Sequence, residues 1–186
     1  MKVIAFDLVG VLVGENSFEL TDIQDKMERL FGKNKSDYDY KEIVKETISS
    51  EIDIEENTKY IINNIYQIKY PNLIFELKNK YPDVTFIIAT NHVSYIRDYI
   101  ENNFDMSLIN KIYVSAEINK IKPDAEFYNY ILDDLNIKAS DMLFLDDSTE
   151  NIEGAKKVGI SAIKINKDTD IFEVVTNFAS RNNWKY

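Results

Sequence analysis

Residues 1–12 read MKVIAFDLVGVL. Val3, Ile4, Ala5 and Phe6 form a short apolar run that ends abruptly on Asp7, and turn chemistry follows at Gly10. A continuous run of this kind, with β-branched and aromatic residues, predicts a strand buried on both faces. If helices border it, the sheet is parallel, and ligands of open α/β sheets sit beyond the carboxyl ends of the strands. Asp7 stands at such an end. A carboxylate there serves as a nucleophile, a metal ligand or both. The plainer alternative is a carboxylate capping a turn.

Outward from this strand, residues 10–19 read as a loop with Gly10, Gly14, Asn16 and Ser17. Leu20, Ile23, Met27, Leu30 and Phe31 then recur at helical spacing until Gly32. After the polar run KNKSDYDY, Ile43, Val44 and Ile48 predict a second short helix, and Ile54, Ile61, Ile65 and Ile68 share one face of a third. Residues 15–69 thus read as a small all-helical unit, with 1–14 and 70–186 as the main domain.

From residue 71 strands alternate with helices. Pro71 suits the first turn of a helix carrying Leu73, Ile74 and Leu77. VTFIIA, residues 84–89, is the second buried strand and stops at Thr90 and Asn91. A stripe from Tyr95 to Phe104 is helical, and Ile112, Tyr113 and Val114 make a third strand. Lys122-Pro123 precedes a helix with Phe127, Tyr130, Ile131 and Leu135. MLFL, residues 142–145, is the fourth strand and stops at Asp146 and Asp147. A helix over 148–158 ends at Gly159, a fifth strand covers 161–165, and a last helix runs from about Thr169 to Ala179. The tail RNNWKY carries no pattern. This alternation predicts a parallel α/β sheet, interrupted just after strand 1 by the helical unit.

The chain has 186 residues, 45% hydrophobic and 29% charged, which is enough for one good core and a small satellite. A net charge of −10 argues against nucleic acid and anionic membranes as partners. The absence of cysteine excludes disulfides, thiolate catalysis and Cys-based zinc sites. One histidine, His92, excludes a multi-His metal cluster. No apolar run reaches signal-peptide or membrane-spanning length, so a cytoplasmic protein, monomer or homodimer, is expected.

The residues at which the strands stop form one set. Strand 1 ends on Asp7, strand 2 on Thr90 and Asn91, and strand 4 on Asp146 and Asp147; the loop after strand 3 leads to Lys122. Three converging carboxylates repel one another unless a cation joins them. Oxygen ligands without His or Cys point to a hard cation, of which Mg²⁺ is the usual one in phosphate chemistry. Lys122 and Thr90 suit the oxygens of a phosphoryl group. His92, next to Asn91, is read as a surface or capping residue, and Lys120 as a solvated rival to Lys122. Tyr38, Tyr40 and Lys41 are candidates for lining a substrate pocket.

At this point the sequence resembles the haloacid dehalogenase-like (HAD) superfamily. FDLVGVL resembles its first motif, IIATN its second, Lys122-Pro123 its third and LFLDDSTENIEGAKKVGI its fourth. The match covers residues 1–14 and about 70–167, and the helical unit at 15–69 corresponds in position to the family's C1 cap. The resemblance implies a Rossmann-like core and a Mg²⁺-dependent phosphatase of a small phosphorylated metabolite. It implies that Asp7 is the nucleophile, forming an aspartyl-phosphate. It implies that Asp7, the Val9 carbonyl and Asp147 hold Mg²⁺, with Asp146 as ligand or support, and that Asn151 steadies a metal-bound water. Thr90 and Asn91 would hold the phosphoryl group with the N–H groups near Leu8 and Val9, and Lys122 would bridge it to Asp7.

One position departs from the family pattern. Most family phosphatases carry a general acid/base Asp two residues after the nucleophile, where this chain has Val9. Valine transfers no proton, although its carbonyl can still bind metal. A general acid is worth roughly 10²–10⁴-fold, against accelerations of up to ~10²¹-fold for phosphate monoesters. Val9 therefore predicts a bias toward leaving groups that need little protonation, and slow breakdown of the aspartyl-phosphate. Two alternatives stay open. One is a catalytically weakened protein that binds a phosphorylated ligand or a partner. The other is phosphonatase- or dehalogenase-like bond cleavage, against which the acidic pair Asp146-Asp147 disfavours the dehalogenase form.

Overall fold

A computed structural model describes residues 1–48 and 51–184. Its strands are β1 (Val3–Phe6), β2 (Val13–Glu15), β3 (Tyr66–Ile68), β4 (Thr85–Thr90), β5 (Lys111–Val114), β6 (Met142–Asp146) and β7 (Ser161–Lys164). The α-helices are α1 (Asp22–Glu28), α2 (Asp37–Thr47), α3 (Ile54–Ile65), α4 (Leu73–Lys80), α5 (Ile96–Asn103), α6 (Ser115–Ile118), α7 (Ala125–Leu135), α8 (Thr149–Lys157) and α9 (Ile171–Arg181). Five strands form a parallel sheet in the order β5-β4-β1-β6-β7. The fold is thus α/β with a helical insertion after β1.

β1 sits at the centre, with Val3 level with Thr85 on one side and Met142 on the other. Its side chains alternate between two cores. Ile4 and Phe6 join a cluster with Leu77, Ile96, Ile100 and Val175, while Val3 and Ala5 join Phe127, Ile131, Ile152 and Ala155. Helices on both faces require apolar residues at every position, which is why VIAF does not alternate. Five of the described helices, α1, α2, α3, α8 and α9, begin where a side chain caps them. The Thr21 hydroxyl accepts from the Gln24 N–H in a capping box, and Ser36, Asp53, Ser148 and Asp170 each accept a backbone N–H three residues on.

Three features differ from the sequence reading. The insertion is not all-helical: β2 and β3 pair antiparallel, Val13 with Ile68 and Glu15 with Tyr66. Ile68 therefore belongs to a strand and not to the third helix. The second helix starts at Asp37, inside the polar run, because Ser36 caps it. The tail is also used. Trp184 is buried and meets Phe178 edge-on at 5.3 Å, with the Lys2 ammonium 5.7 Å from its ring.

The insertion docks on the loop after β4. The Ser94 N–H donates to Asp37 at 2.8 Å, and the Ser94 hydroxyl donates to the same carboxylate. The Tyr95 hydroxyl donates to Glu55 at 3.1 Å, and Lys35 pairs with Asp124 at 3.1 Å. Gly32 makes the closest approach. A Cβ there would lie 2.4 Å from the Asn91 carbonyl oxygen, and its φ of +68° is left-handed. That conformation alone costs a side chain about 1–2 kcal/mol. Gly32→Ala should lower the unfolding free energy by ~2 kcal/mol or more in a urea titration. A loss below ~0.5 kcal/mol would mean that this loop is not seated on Asn91.

Candidate active site

Backbone hydrogen bonds set where Asp7 leaves the sheet. Its N–H donates to the Leu145 carbonyl at 2.8 Å, which extends the β1–β6 ladder by one residue. The chain then turns sharply. The N–H groups of Leu12 and Val13 both donate to the Leu8 carbonyl at 2.9 Å, and the Gly10 N–H donates to Val13 at 2.8 Å. Gly10 has φ +90°, and a Cβ there would lie 2.2 Å from a carboxylate oxygen of Asp147. Glycine is required for the turn and for the approach of the ends of β1 and β6.

Lys122 organises the charges. It is 3% exposed. Its ammonium donates at 2.9 Å to Asp7, at 2.7 Å to Asp146 and at 2.9 Å to the Ala89 carbonyl. Three partners satisfy its three protons. Burial by itself would lower the Lys122 pKa; the two carboxylates outweigh it and raise it. Burial pushes the Asp7 carboxyl up to about 7, with Lys122 pulling it down and Asp146 pushing it up. Asp147 is exposed at the surface, yet partial burial and then Asp146 raise its carboxyl as well.

Asp7, Asp146 and Asp147 offer oxygens that all lie within 4.8 Å of one another. Three carboxylates against one buried ammonium leave an excess equal to the charge of one dication. An all-oxygen donor set of this kind fits Mg²⁺. Asp146 is fully engaged. Besides Lys122 it accepts the Ser148 N–H at 2.8 Å and the Asn151 amide at 3.1 Å to each oxygen. Asn151 therefore holds Asp146 directly.

The end of β4 is equally constrained. Thr90 is 1% exposed at the end of β4. The Asn91 amide donates to the Lys122 carbonyl at 2.9 Å, and its oxygen accepts the Lys122 N–H at 2.9 Å. With both ends of its amide on that backbone, Asn91 sets the position of Lys122. Leu8 is buried and Val9 half-buried, so their share in a site comes through the main chain. Among the pocket candidates, Tyr40 is buried with its hydroxyl 2.8 Å from Thr58, Tyr38 is 71% exposed, and the Lys41 ammonium lies 5.6 Å from the Tyr95 ring.

His92 is not a surface residue. It is 2% exposed, its Nε2 lies 3.0 Å from the Tyr66 hydroxyl, and its ring centre is 4.8 Å from that of Phe31. The insertion covers it, which its sequence position could not show. Tyr66 and Lys69 were equally hidden. Lys69 follows β3 and donates to the Gly10 carbonyl at 2.8 Å.

Burial lowers the His92 pKa to about 3. Below about 6.5 the unfolded chain takes up a proton that the folded state refuses. Stability from neutral His92 is therefore lost as pH falls from about 6.5 toward 3, at ~1.4 kcal/mol per pH unit. Asp7 acts with the opposite sign below 7, so the comparison must be between proteins that both keep it. The stability advantage of wild type over His92→Asn should shrink by ~1.4 kcal/mol per unit between pH 6 and 4 in urea titrations. A constant difference would mean that His92 is not held neutral.

Known proteins share both the sequence pattern and the architecture. A family model described as haloacid dehalogenase-like hydrolase matches residues 4–165. Drimenol cyclase of Aspergillus calidoustus is 30% identical over 73 residues, 39% of this chain and 14% of that protein. Sesquiterpene phosphatase of Aspergillus oryzae is 32% identical over 65 residues, 35% of this chain and 33% of that protein. The matched region thus spans a third or less of these curated relatives. A HAD family enzyme of Bacteroides thetaiotaomicron, crystallised with magnesium and inorganic phosphate, superposes with a TM-score of 0.74 at 18% identity, covering 94% of this chain and 98% of that one. Among the described residues no helix is long and apolar enough to cross a membrane. With the family match running from β1 through β7, and with the first, second and fourth motifs meeting at the buried lysine of the third, the chain belongs to the haloacid dehalogenase-like hydrolases.

Proposed function

We propose that this hydrolase is a Mg²⁺-dependent phosphatase of a small phosphorylated metabolite. The observation that carries the reading is the Lys122 ammonium seated between Asp7 and Asp146, with Asp147 completing a carboxylate cluster. Asp7 is the nucleophile: its carboxylate oxygen forms the bond to phosphorus as the ester bond breaks. The result is an aspartyl-phosphate, later hydrolysed by water. Lys122 holds Asp7 in position and lies where phosphoryl oxygens gain negative charge. Thr90 and the main-chain N–H groups of Leu8, Val9 and Asn91 supply further donors. Asp7, Asp147 and the Val9 carbonyl would hold Mg²⁺, with Asp146 supporting them, and the ion would neutralise the carboxylates and polarise the phosphoryl group when bound. Asp7 is 8% exposed, so little bulk water reaches the nucleophile. The magnesium- and phosphate-bound state of the Bacteroides enzyme and the name of the Aspergillus oryzae relative support this chemistry.

Val9 favours a second reading, a protein that binds a phosphorylated ligand with little turnover. One set of assays separates the two: hydrolysis of p-nitrophenyl phosphate with Mg²⁺ or EDTA by wild type, Asp7→Asn and Val9→Asp. This substrate has a good leaving group and needs no acid. Wild type should turn over with Mg²⁺ and stop with EDTA, and Asp7→Asn should lose about 10⁴-fold or more. Val9→Asp should speed hydrolysis of simple alkyl phosphates by roughly 10²–10⁴-fold. Full activity in Asp7→Asn would remove the nucleophile assignment. Silence of wild type and Val9→Asp alike would favour the binding protein.

A further inference from the structure

A cavity of about 400 Å³ opens beside Asp147. Gly10, Lys69, Asp147, Lys164, Asn166 and Lys167 line it. Three lysines around one cavity are unexpected on a chain of net charge −10. Elsewhere on this surface lysines sit on carboxylates, as Lys45 does on Glu42, Lys59 on Glu55 and Lys111 on Asp134. Here two of the lysines hydrogen-bond neutral groups, while the charge of Lys69 also acts on Asp147 in the same wall. Lys69 donates to the Gly10 carbonyl, and Lys164 to the Thr149 hydroxyl at 2.7 Å. The one carboxylate in the wall, Asp147, belongs to the acidic cluster as well.

The location is as specific as the charge. Lys164 ends β7, and Lys167 lies in the loop that follows, so both stand at the carboxyl edge of the sheet. Lys69 reaches the same place from β3. Gly10 and Asp147 form the boundary between this cavity and the Asp7 site. An anion held by these lysines is therefore a neighbour of a phosphoryl group at Asp7. Lysine ammonium groups are compact, strongly hydrated charges suited to phosphate.

We propose that this cavity binds the inner phosphate of an organic diphosphate whose outer phosphoryl group is transferred to Asp7. The proposal rests on the phosphatase reading above. It also accounts for Val9 in the first of the two chemical steps. Asp7 forms a bond to the outer phosphorus, and the bond from that phosphorus to the bridging oxygen breaks. The electron pair leaves on a phosphate monoester, whose second pKa is near 6. Such a leaving group departs without a proton, so the acid absent at position 9 is not needed in this step. Water then attacks phosphorus, Asp7 regains its carboxylate, and orthophosphate and a proton are released. The lysines stabilise the leaving monoester as its charge grows.

The test compares methyl diphosphate with methyl phosphate, each with Mg²⁺, on wild type and on the exposed pair Lys164→Ala/Lys167→Ala. Wild type should prefer methyl diphosphate by at least about 100-fold in kcat/KM, since both the lysines and the better leaving group favour it. The double variant should raise KM for methyl diphosphate about tenfold. Its loss on p-nitrophenyl phosphate should be at least fivefold smaller. Turnover of p-nitrophenyl phosphate without preference for the diphosphate would overturn the proposal and leave the phosphatase reading standing. So would equal losses on both substrates. If no phosphate compound is hydrolysed, the phosphatase reading fails, and titration calorimetry with methylenebisphosphonate decides the cavity. Binding weakened about tenfold by the double variant supports the anion site; equal binding by the two proteins rules it out.

Discussion

The buried ammonium of Lys122 is the group on which the arrangement depends. Asp146 is 0% exposed and Asp7 8% exposed, and neither carboxylate is tolerable there without a counter-charge. Everything near Lys122 serves to keep it in place. Asn91 grips its backbone with both ends of an amide, Ala89 takes its third proton, and Asn151 and Ser148 hold Asp146 where it can accept. A buried pair of this kind contributes little net stability, because desolvation offsets attraction. What it does is fix geometry: β1, β4 and β6, which share the sheet, also share one cation at their carboxyl ends.

The insertion extends the same logic. Among its contacts with the core are those with the loop that follows Thr90 and Asn91, with Asp124 beside Lys122-Pro123, with the Gly10 carbonyl and with Tyr99 on α5. His92 and Tyr66 meet beneath it, one from each side, in an environment apolar enough to keep the imidazole neutral. The structure therefore has the insertion seated over the strand ends, with Asp147 as the exposed member of the carboxylate cluster.

Much of this was legible in the sequence. Apolar runs bounded by turns marked the five core strands, because strands buried on both faces leave an unbroken signature. The polar residues at their ends stood out for the same reason. The insertion was harder to read. VGE and YQI are too short to show a period of two, and Tyr66 follows α3 without a break, so helical spacing ran on to Ile68. Residues whose role depends on the far side of the fold gave no signal. His92 read as a surface or capping residue until Phe31 and Tyr66 covered it, and nothing in the sequence singled out Lys69, which β3 brings to Gly10. Trp184 was silent because its partner Phe178 lies within α9 and Lys2 at the opposite end of the sequence.

The pairing of Glu15 with Tyr66 has a consequence for modularity. Partners in an antiparallel ladder have Cα atoms about 4.5–5.5 Å apart. The chain thus leaves the core and returns to it through adjacent positions, with all three helices of the insertion strung between them. A two-residue hairpin turn spans such a gap. In connectivity the whole insertion is thus one long loop on a two-strand stem, so its length does not by itself set the register of β1 and its neighbours, even though its apolar side chains continue the cluster that Ile4 and Phe6 join.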